Sequence, residues 1–388
     1  MKRVRRVLLG LLLVAFLLHP PRPASAASPV PASPDQSVTY FNDVDLRAPM
    51  SAHIIKIKRS ATDVRFCTTF GTGEALGMAN VTAQLKTVPA DLGQIVAAIN
   101  GDFYYKIKGY EGRPRDVQIC RGEVVSTPSG HSSFWIDPHG QPQMTNVTSL
   151  FRVVWPDGNA TPIGLNQYRT NNAAVLFTAA IGASTRASGG LEYVLEPAST
   201  HGPWLPLRIG QVYEARVRGV SNAGNTPLDR QTMVLSIGPS LAPALAPLAP
   251  GAVVKLLTET FPDLSGVEAA IGGGPALVRQ GKPILWKDAI QVRHPRTAIG
   301  WNGQYLLLVV VDGRQLDVSI GMTEPELAQY MLKLGCTEAL NLDGGGSATL
   351  WAFGAVRNSP SEGQERPACN ALVVLRKRAE AQPKAAGS

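Results

Sequence analysis

The sequence predicts an α+β fold: strand-rich mixed sheets with a few helices, in one principal domain with a β-rich N-terminal part. Three observations predict it. Short apolar runs recur along most of the chain, for example at 95–99, 153–155, 175–177, 213–220 and 253–257. Clusters of Gly, Pro, Asn and Asp separate them, as turns separate strands. Only one long segment shows a clear helical period.

The N-terminal residues come first. Lys2, Arg3, Arg5 and Arg6 precede an apolar run at 7–18, and Pro20, Pro21 and Pro23 end any helix there. Ala24-Ser25-Ala26 is a small-residue cleavage site, so 1–26 reads as a signal peptide that is removed. The apolar run is too short for a transmembrane helix of about 20 residues. No later stretch is long and apolar enough to span a bilayer, so no membrane span is expected after cleavage. The expected location is secreted or periplasmic. Residues 27–38, rich in Ala, Ser and Pro, read as a disordered linker, and 377–388 as a disordered tail.

Export reshapes the charge. The chain of 388 residues carries a formal +8, and five of those positive charges lie in residues 1–26, so a processed chain keeps only three. With no basic stripe interleaved with aromatics, nucleic acid is not an expected partner. Cys67, Cys120, Cys336 and Cys369 form no C-x-x-C pair, which leaves zinc spacing absent. In an oxidising compartment up to two disulfides are expected. Cys336 with Cys369 is the preferred pair, because each precedes a strand; the alternative is four small buried side chains.

The helix is the best-defined element. Thr323-Glu324-Pro325-Glu326 fits a capping box, Leu327, Tyr330, Met331 and Leu334 recur on one face, and Gly335 supplies the stop. The apolar run 306–311, closed by Asp312-Gly313, reads as a buried strand before it, and 339–342 as a strand after it. Strand, helix and strand in this order predict a crossover connection.

Several constellations can carry chemistry. Asn341-Leu342-Asp343-Gly344-Gly345-Gly346-Ser347 places one carboxylate at a strand end, before three glycines whose bare amides suit an anion such as phosphate. Ile271-Gly272-Gly273-Gly274-Pro275 is a second glycine-rich turn, a candidate to close on the same site. His294-Pro295-Arg296-Thr297 offers a guanidinium fork for phosphate or carboxylate. In Asn100-Gly101-Asp102-Phe103-Tyr104-Tyr105, Asn100 and Asp102 are candidates for sugar hydroxyls and the aromatics for the ring face; a tight turn is the alternative. Glu365-Arg366-Pro367-Ala368-Cys369-Asn370 brings another guanidinium and an amide to the start of the last strand. No G-x-S-x-G, P-loop, dinucleotide glycine pattern or H-E-x-x-H occurs.

These pieces, in this order, resemble the phosphodiester glycosidase family. The match runs through Ala98-Ile99-Asn100-Gly101, Ile271-Gly272-Gly273-Gly274-Pro275 and Arg296-Thr297-Ala298-Ile299-Gly300. It continues through Val311-Asp312-Gly313-Arg314, Gly321-Met322-Thr323, Asn341-Leu342-Asp343-Gly344-Gly345-Gly346-Ser347 and Asn358-Ser359-Pro360, and closes on Arg366 with Asn370-Ala371-Leu372. The family often has a small residue where this chain has Asp102.

The resemblance implies a phosphodiester glycosidase-like catalytic domain at 92–376, preceded by the β-rich part at 39–91. It implies hydrolysis at the anomeric carbon of a sugar-1-phosphodiester, with a glycan or cell-envelope phosphoglycan as substrate. Asp343, Arg296 and Asp312 are the expected catalytic residues. Asp343 is open between nucleophile, general base and electrostatic stabiliser. Asn100, Asp102, Gly273, Gly274, Thr297, Gly344, Gly345, Gly346, Ser347, Arg366 and Asn370 are the expected substrate-binding set. Carboxylates beside a phosphate would repel it unless they face the sugar or a cation intervenes, which makes Ca²⁺ a candidate cofactor with no ligand set assigned. A non-catalytic protein that binds envelope glycans or assists polysaccharide assembly is the alternative, and oligomeric state is open.

Overall fold

The computed structural model describes residues 37–284 and 286–377. The expected signal peptide, almost all of the 27–38 linker and all but the first residue of the 377–388 tail lie outside the described residues. The described chain is strand-rich with few helices. Its large sheets have seven, six, eight and five strands. Mixed sheets were expected, but every ladder in the five-, six- and seven-stranded sheets is antiparallel. One parallel ladder, Gly164–Leu165 with Ala174–Phe177, makes the eight-stranded sheet mixed. Tight turns dominate the chain, and tight turns join antiparallel neighbours.

The seven-stranded sheet carries the element most legible in the sequence. Tyr305–Val311 and Glu338–Asn341 both pair antiparallel with Arg296–Trp301, which lies between them. They are therefore parallel to each other, and the helix Glu324–Lys333 links them as the expected crossover. The capping box is formed: Thr323 Oγ1 accepts from the Glu326 amide at 3.2 Å, and Glu326 Oε2 accepts from the Thr323 amide at 2.9 Å. Gly335, at φ +86°, follows the last turn in the left-handed region that Gly adopts without penalty.

Strand periodicity explains why 306–311 has no polar residue. Leu306, Leu308 and Val310 point into a core shared with Ile99, Ile271, Leu350 and Leu372 of the five- and six-stranded sheets. Leu307, Val309 and Val311 point the other way, into a core closed by Leu327, Ala328 and Met331 of the helix. A sheet covered on both faces needs apolar residues at every position.

Residues 39–91 are built into these same sheets. Val38–Asp45 and Met50–Lys58 extend the seven-stranded sheet, the latter alongside Tyr305–Val311. Val64–Thr68 pairs with the last strand, Ala371–Arg376. The strands between Arg152 and Leu257 form the eight-stranded sheet, whose core is shared with the six-stranded sheet through Ile119, Trp135 and Ala270.

The expected Cys336–Cys369 disulfide is not made. All four cysteines are free and buried. Cys336 packs in the core under the helix with Met331, whereas the Cys369 thiol donates to the Asp102 carbonyl oxygen at 3.3 Å. The strands that follow these two cysteines belong to different sheets.

Candidate active site

Antiparallel pairing collects the functional segments at one end of three sheets. Asn100 ends the strand Gln94–Asn100, opposite Ala371. Asn341 ends Glu338–Asn341, opposite Ala298. Gly272 ends Ala269–Gly272, and Gly274 donates its amide to the Asn341 carbonyl oxygen at 2.7 Å. Asp343, Gly101 and Asn370 therefore meet: the Asp343 amide donates to Gly101 O at 3.0 Å, and the Gly101 amide to Asn370 O at 3.0 Å.

Asn100 holds this junction together. Its Nδ2 donates to the Asp343 carbonyl oxygen at 2.6 Å. Its Oδ1 accepts from Thr297 Oγ1 at 2.8 Å and from the Thr349 amide at 3.0 Å. Asn370 is used as fully, accepting from the Asp102 amide at 2.9 Å and donating to Gln118 Oε1 at 2.9 Å. Asn100, Asp102, Thr297 and Asn370 have no solvent exposure. They form the floor of the site and position what lies above them, in place of the direct sugar contacts expected of them.

Asp343 stands on that floor. Its side chain is 13% exposed, and its Oδ2 has no hydrogen-bond partner. Arg366 Nη2 lies 4.0 Å from that oxygen. Burial pushes the carboxyl above its ordinary range, while hydrogen bonds from Ser347 and the Gly344 amide and the charges of Arg366 and Arg115 pull it back. Ser347 Oγ in turn accepts from Arg366 Nε at 3.2 Å and Nη2 at 2.8 Å. The guanidinium thus lies beside the carboxylate while donating to the neighbouring Ser347 hydroxyl. Tyr104 lies beside Arg366, Asp343 and Ser347, its phenol pushed up by burial.

Orphaned polar atoms mark the place. Asp102 Oδ1, Asn341 Oδ1, Asp343 Oδ2 and Thr349 Oγ1 are buried without partners, and all belong to this junction. Native proteins rarely leave such groups unpaired, and a cluster points to water or ligand. A cavity of about 690 Å³ lies elsewhere, lined by Arg59, Phe66, Arg121 and His139. It shares no residue with the Asp343 junction.

The glycine loop departs from the expected nest of bare amides at Gly345, which donates to Pro295 O at 2.8 Å, while the Ser347 amide after it donates to Gly344 O at 3.2 Å. The loop needs its glycines for close approach. A Cβ on Gly344 would lie 2.7 Å from Pro295 O, and one on Gly346 would collide with Glu362 and Arg366. Gly273 has the same function against Asn341 O, at 2.7 Å.

Two expected catalytic residues are held away from Asp343. Arg296 is buried, with Nε donating to Met322 O at 2.8 Å, Nη2 to Val292 O at 3.2 Å, and Nη1 3.6 Å from Glu324 Oε1. It fastens the loop before its strand to the helix N-terminus. Asp312 is 1% exposed and accepts from Ser359 N at 2.8 Å and Asn358 Nδ2 at 3.3 Å, with His53 Nε2 at 2.8 Å. Neither has a recorded contact with Asp343.

The residue-level reading missed Arg115. It donates to Gly273 O at 2.7 Å and stacks 4.4 Å from the Phe103 ring centre, tying the second glycine turn to the aromatic segment. No motif surrounds it, so only the fold reveals it. Among the described residues no group of three or more His, Cys, Asp or Glu is placed to hold a metal ion. The donor set at Asp343 fits Ca²⁺ poorly, because the charged groups beside the carboxylate are guanidinium cations.

Residues 210–375 match the family model described as phosphodiester glycosidase. Over these residues the chain is similar to the phosphodiester glycosidase family. The matched span includes Gly273, Arg296, Asp312, Asp343 and Arg366, while Asn100, Asp102 and Arg115 come to the site from outside it. Over 110 residues the chain is 40% identical to the Bos taurus N-acetylglucosamine-1-phosphodiester alpha-N-acetylglucosaminidase, covering 26% of this chain and 20% of that protein. Over 115 residues it is 36% identical to an uncharacterised SPbeta prophage-derived protein of Bacillus subtilis strain 168, covering 28% of this chain and 18% of that protein. The chain thus aligns with about a fifth of these relatives' length. In fold it is similar to a hypothetical protein from Synechocystis, with TM-score 0.69 and 18% identity over 88% of this chain and 62% of that one.

Proposed function

We propose that this chain is an exported glycosidase that hydrolyses the anomeric C–O bond of a sugar-1-phosphodiester in a glycan or cell-envelope polymer. The observation that carries the reading is the half-buried Asp343 carboxylate, with one oxygen free of hydrogen bonds and Arg366 beside it. Water adds to the anomeric carbon, the bond from that carbon to the phosphate oxygen breaks, and the products are a free sugar and a phosphomonoester.

A phosphate leaving group is already acidic and needs little protonation. It needs its charge stabilised, which Arg366 supplies at the loop. Asp343 works ionised, facing the positive charge that develops on the sugar ring in an oxocarbenium-like transition state. The family match over 210–375 and the similarity to the Bos taurus enzyme support this reading; the N-terminal Ala24-Ser25-Ala26 motif supports export to a secreted or periplasmic location.

The test is a panel of sugar-1-phosphodiesters scored by release of reducing sugar, with Asp343→Asn as control. Turnover that disappears in the variant supports the proposal. Retention on polysaccharide with no product from any diester would replace it with a glycan-binding role. Export is tested separately by fractionation and by N-terminal sequencing, which should read from Ala27.

A further inference from the structure

The anion-binding role expected of Arg296 needs another residue, since Arg296 is consumed by Glu324 and two carbonyls. We propose that Arg314, held in place by His294, is the second guanidinium of a clamp for the phosphodiester of the substrate, with Arg366 as the first. This inference rests on the glycosidase reading and specifies what the outer side of that site recognises.

Arg314 follows the strand Tyr305–Val311 in the turn Asp312-Gly313-Arg314. It is exposed, and its backbone is left-handed, at φ +61°. A side chain with a Cβ is disfavoured there, and turns usually place Gly or Asn at such a position. The guanidinium lies against the glycine loop: a Cβ on Gly345 would sit 3.1 Å from Arg314 Nη2. A Cβ on the next residue, Gly346, would sit 2.9 Å from Arg366 Nη1. Two guanidinium groups therefore flank two consecutive glycines.

Their surroundings differ. Arg366 faces carboxylates, 3.4 Å from Glu362 and 4.0 Å from Asp343. The side-chain partner of Arg314 among the described residues is neutral: its Nη2 lies 3.2 Å from His294 Nδ1. The ring nitrogen accepts that hydrogen bond only when the imidazole is unprotonated at Nδ1. Arg314 thus brings uncompensated positive charge to the loop, and His294 orients it without neutralising it. A phosphodiester presents two non-bridging oxygens that two guanidinium groups can share, one each. A neutral aglycone would leave Arg314 without an anionic partner.

The test compares wild type, Arg314→Gln, Arg314→Lys, His294→Leu and His294→Asn. Substrates are a sugar-1-phosphodiester and a neutral aryl glycoside of the same sugar. In Arg314→Gln, KM for the diester should rise about tenfold with a smaller change in kcat, and selectivity for the diester over the aryl glycoside should fall by at least tenfold. Arg314→Lys should restore part of it. His294→Leu should raise KM less, His294→Asn should rescue by keeping an acceptor, and His294→Leu should add nothing to Arg314→Gln. An unchanged diester selectivity in Arg314→Gln overturns the inference. If wild type cleaves no diester, the glycosidase reading fails, and calorimetric titration with dimethyl phosphate decides the clamp. Weaker binding to Arg314→Gln than to wild type supports it, and equal or absent binding overturns it.

Discussion

The side-chain amide of Asn100 donates to the main-chain carbonyl of Asp343 at 2.6 Å. This bond joins the end of a strand in the five-stranded sheet to the segment that leaves the seven-stranded sheet. It fixes the backbone from which the Asp343 carboxylate projects. Asn100→Ala removes a donor to that carbonyl and an acceptor for Thr297 and the Thr349 amide. Buried groups left unpaired cost about 1–3 kcal/mol each. Denaturant unfolding should show a loss of about 3 kcal/mol, and the folded variant should lose kcat with little change in KM. A raised KM with kcat intact would instead make Asn100 a substrate contact.

Arg366 should set the pH dependence of the reaction. Asp343 works ionised, so activity falls as pH drops through its pKa. The nearby positive charge favours the ionised form and opposes the upward push of burial. Arg366→Gln should move the acid limb of the kcat/KM profile to higher pH and raise KM for a phosphodiester. A shift of that limb to lower pH would contradict the assigned protonation state.

Asp102 should make stability depend on pH. Burial and the nearby Asp116 push its carboxyl to about 8, against about 3.9 for an ordinary aspartate. Between these values the folded protein keeps a proton that the unfolded chain releases. Stability should therefore fall as pH rises through that window, a trend fully developed above the folded value. Asp102→Asn should flatten it. Urea unfolding from pH 4 to 8 measures the slope, and an equal slope in both proteins would place the titrating group elsewhere.

Arg296 should prove structural. Arg296→Gln leaves Glu324 buried without its cation, a loss of about 3–5 kcal/mol by analogy with broken buried pairs. Thermal unfolding should show a marked drop in Tm, while KM of the protein that remains folded should stay within about threefold of wild type. A tenfold rise in KM at unchanged Tm would return Arg296 to the anion site.

The contrast between Arg296 and Asp343 shows what the sequence makes legible. Local chemistry was readable: the Thr323 capping box, the Gly335 stop and the doubly buried 306–311 strand each depend on neighbours within a few residues. Asp343 was readable too, because a carboxylate at a strand end before three glycines implies close approach of other backbone. Side-chain direction was not. Whether Arg296 faces the loop or the helix depends on Glu324 and the Met322 carbonyl, which pairing brings near. Asn100 and Asn370 carry the residue types of sugar ligands, yet partners far away in sequence engage both the oxygen and the nitrogen of each side chain. Arg115 has no motif at all. The cysteines misled for the same reason: preceding a strand says nothing about which sheet that strand joins.

The most direct test of the account is Asp343→Asn, assayed by reducing-sugar release from a sugar-1-phosphodiester, with unfolding measured in parallel. The amide keeps the shape of the side chain and removes its charge. The account expects kcat/KM to fall by about a thousandfold or more, with the cooperative unfolding transition retained. Turnover at the wild-type rate in a folded Asp343→Asn protein would contradict it.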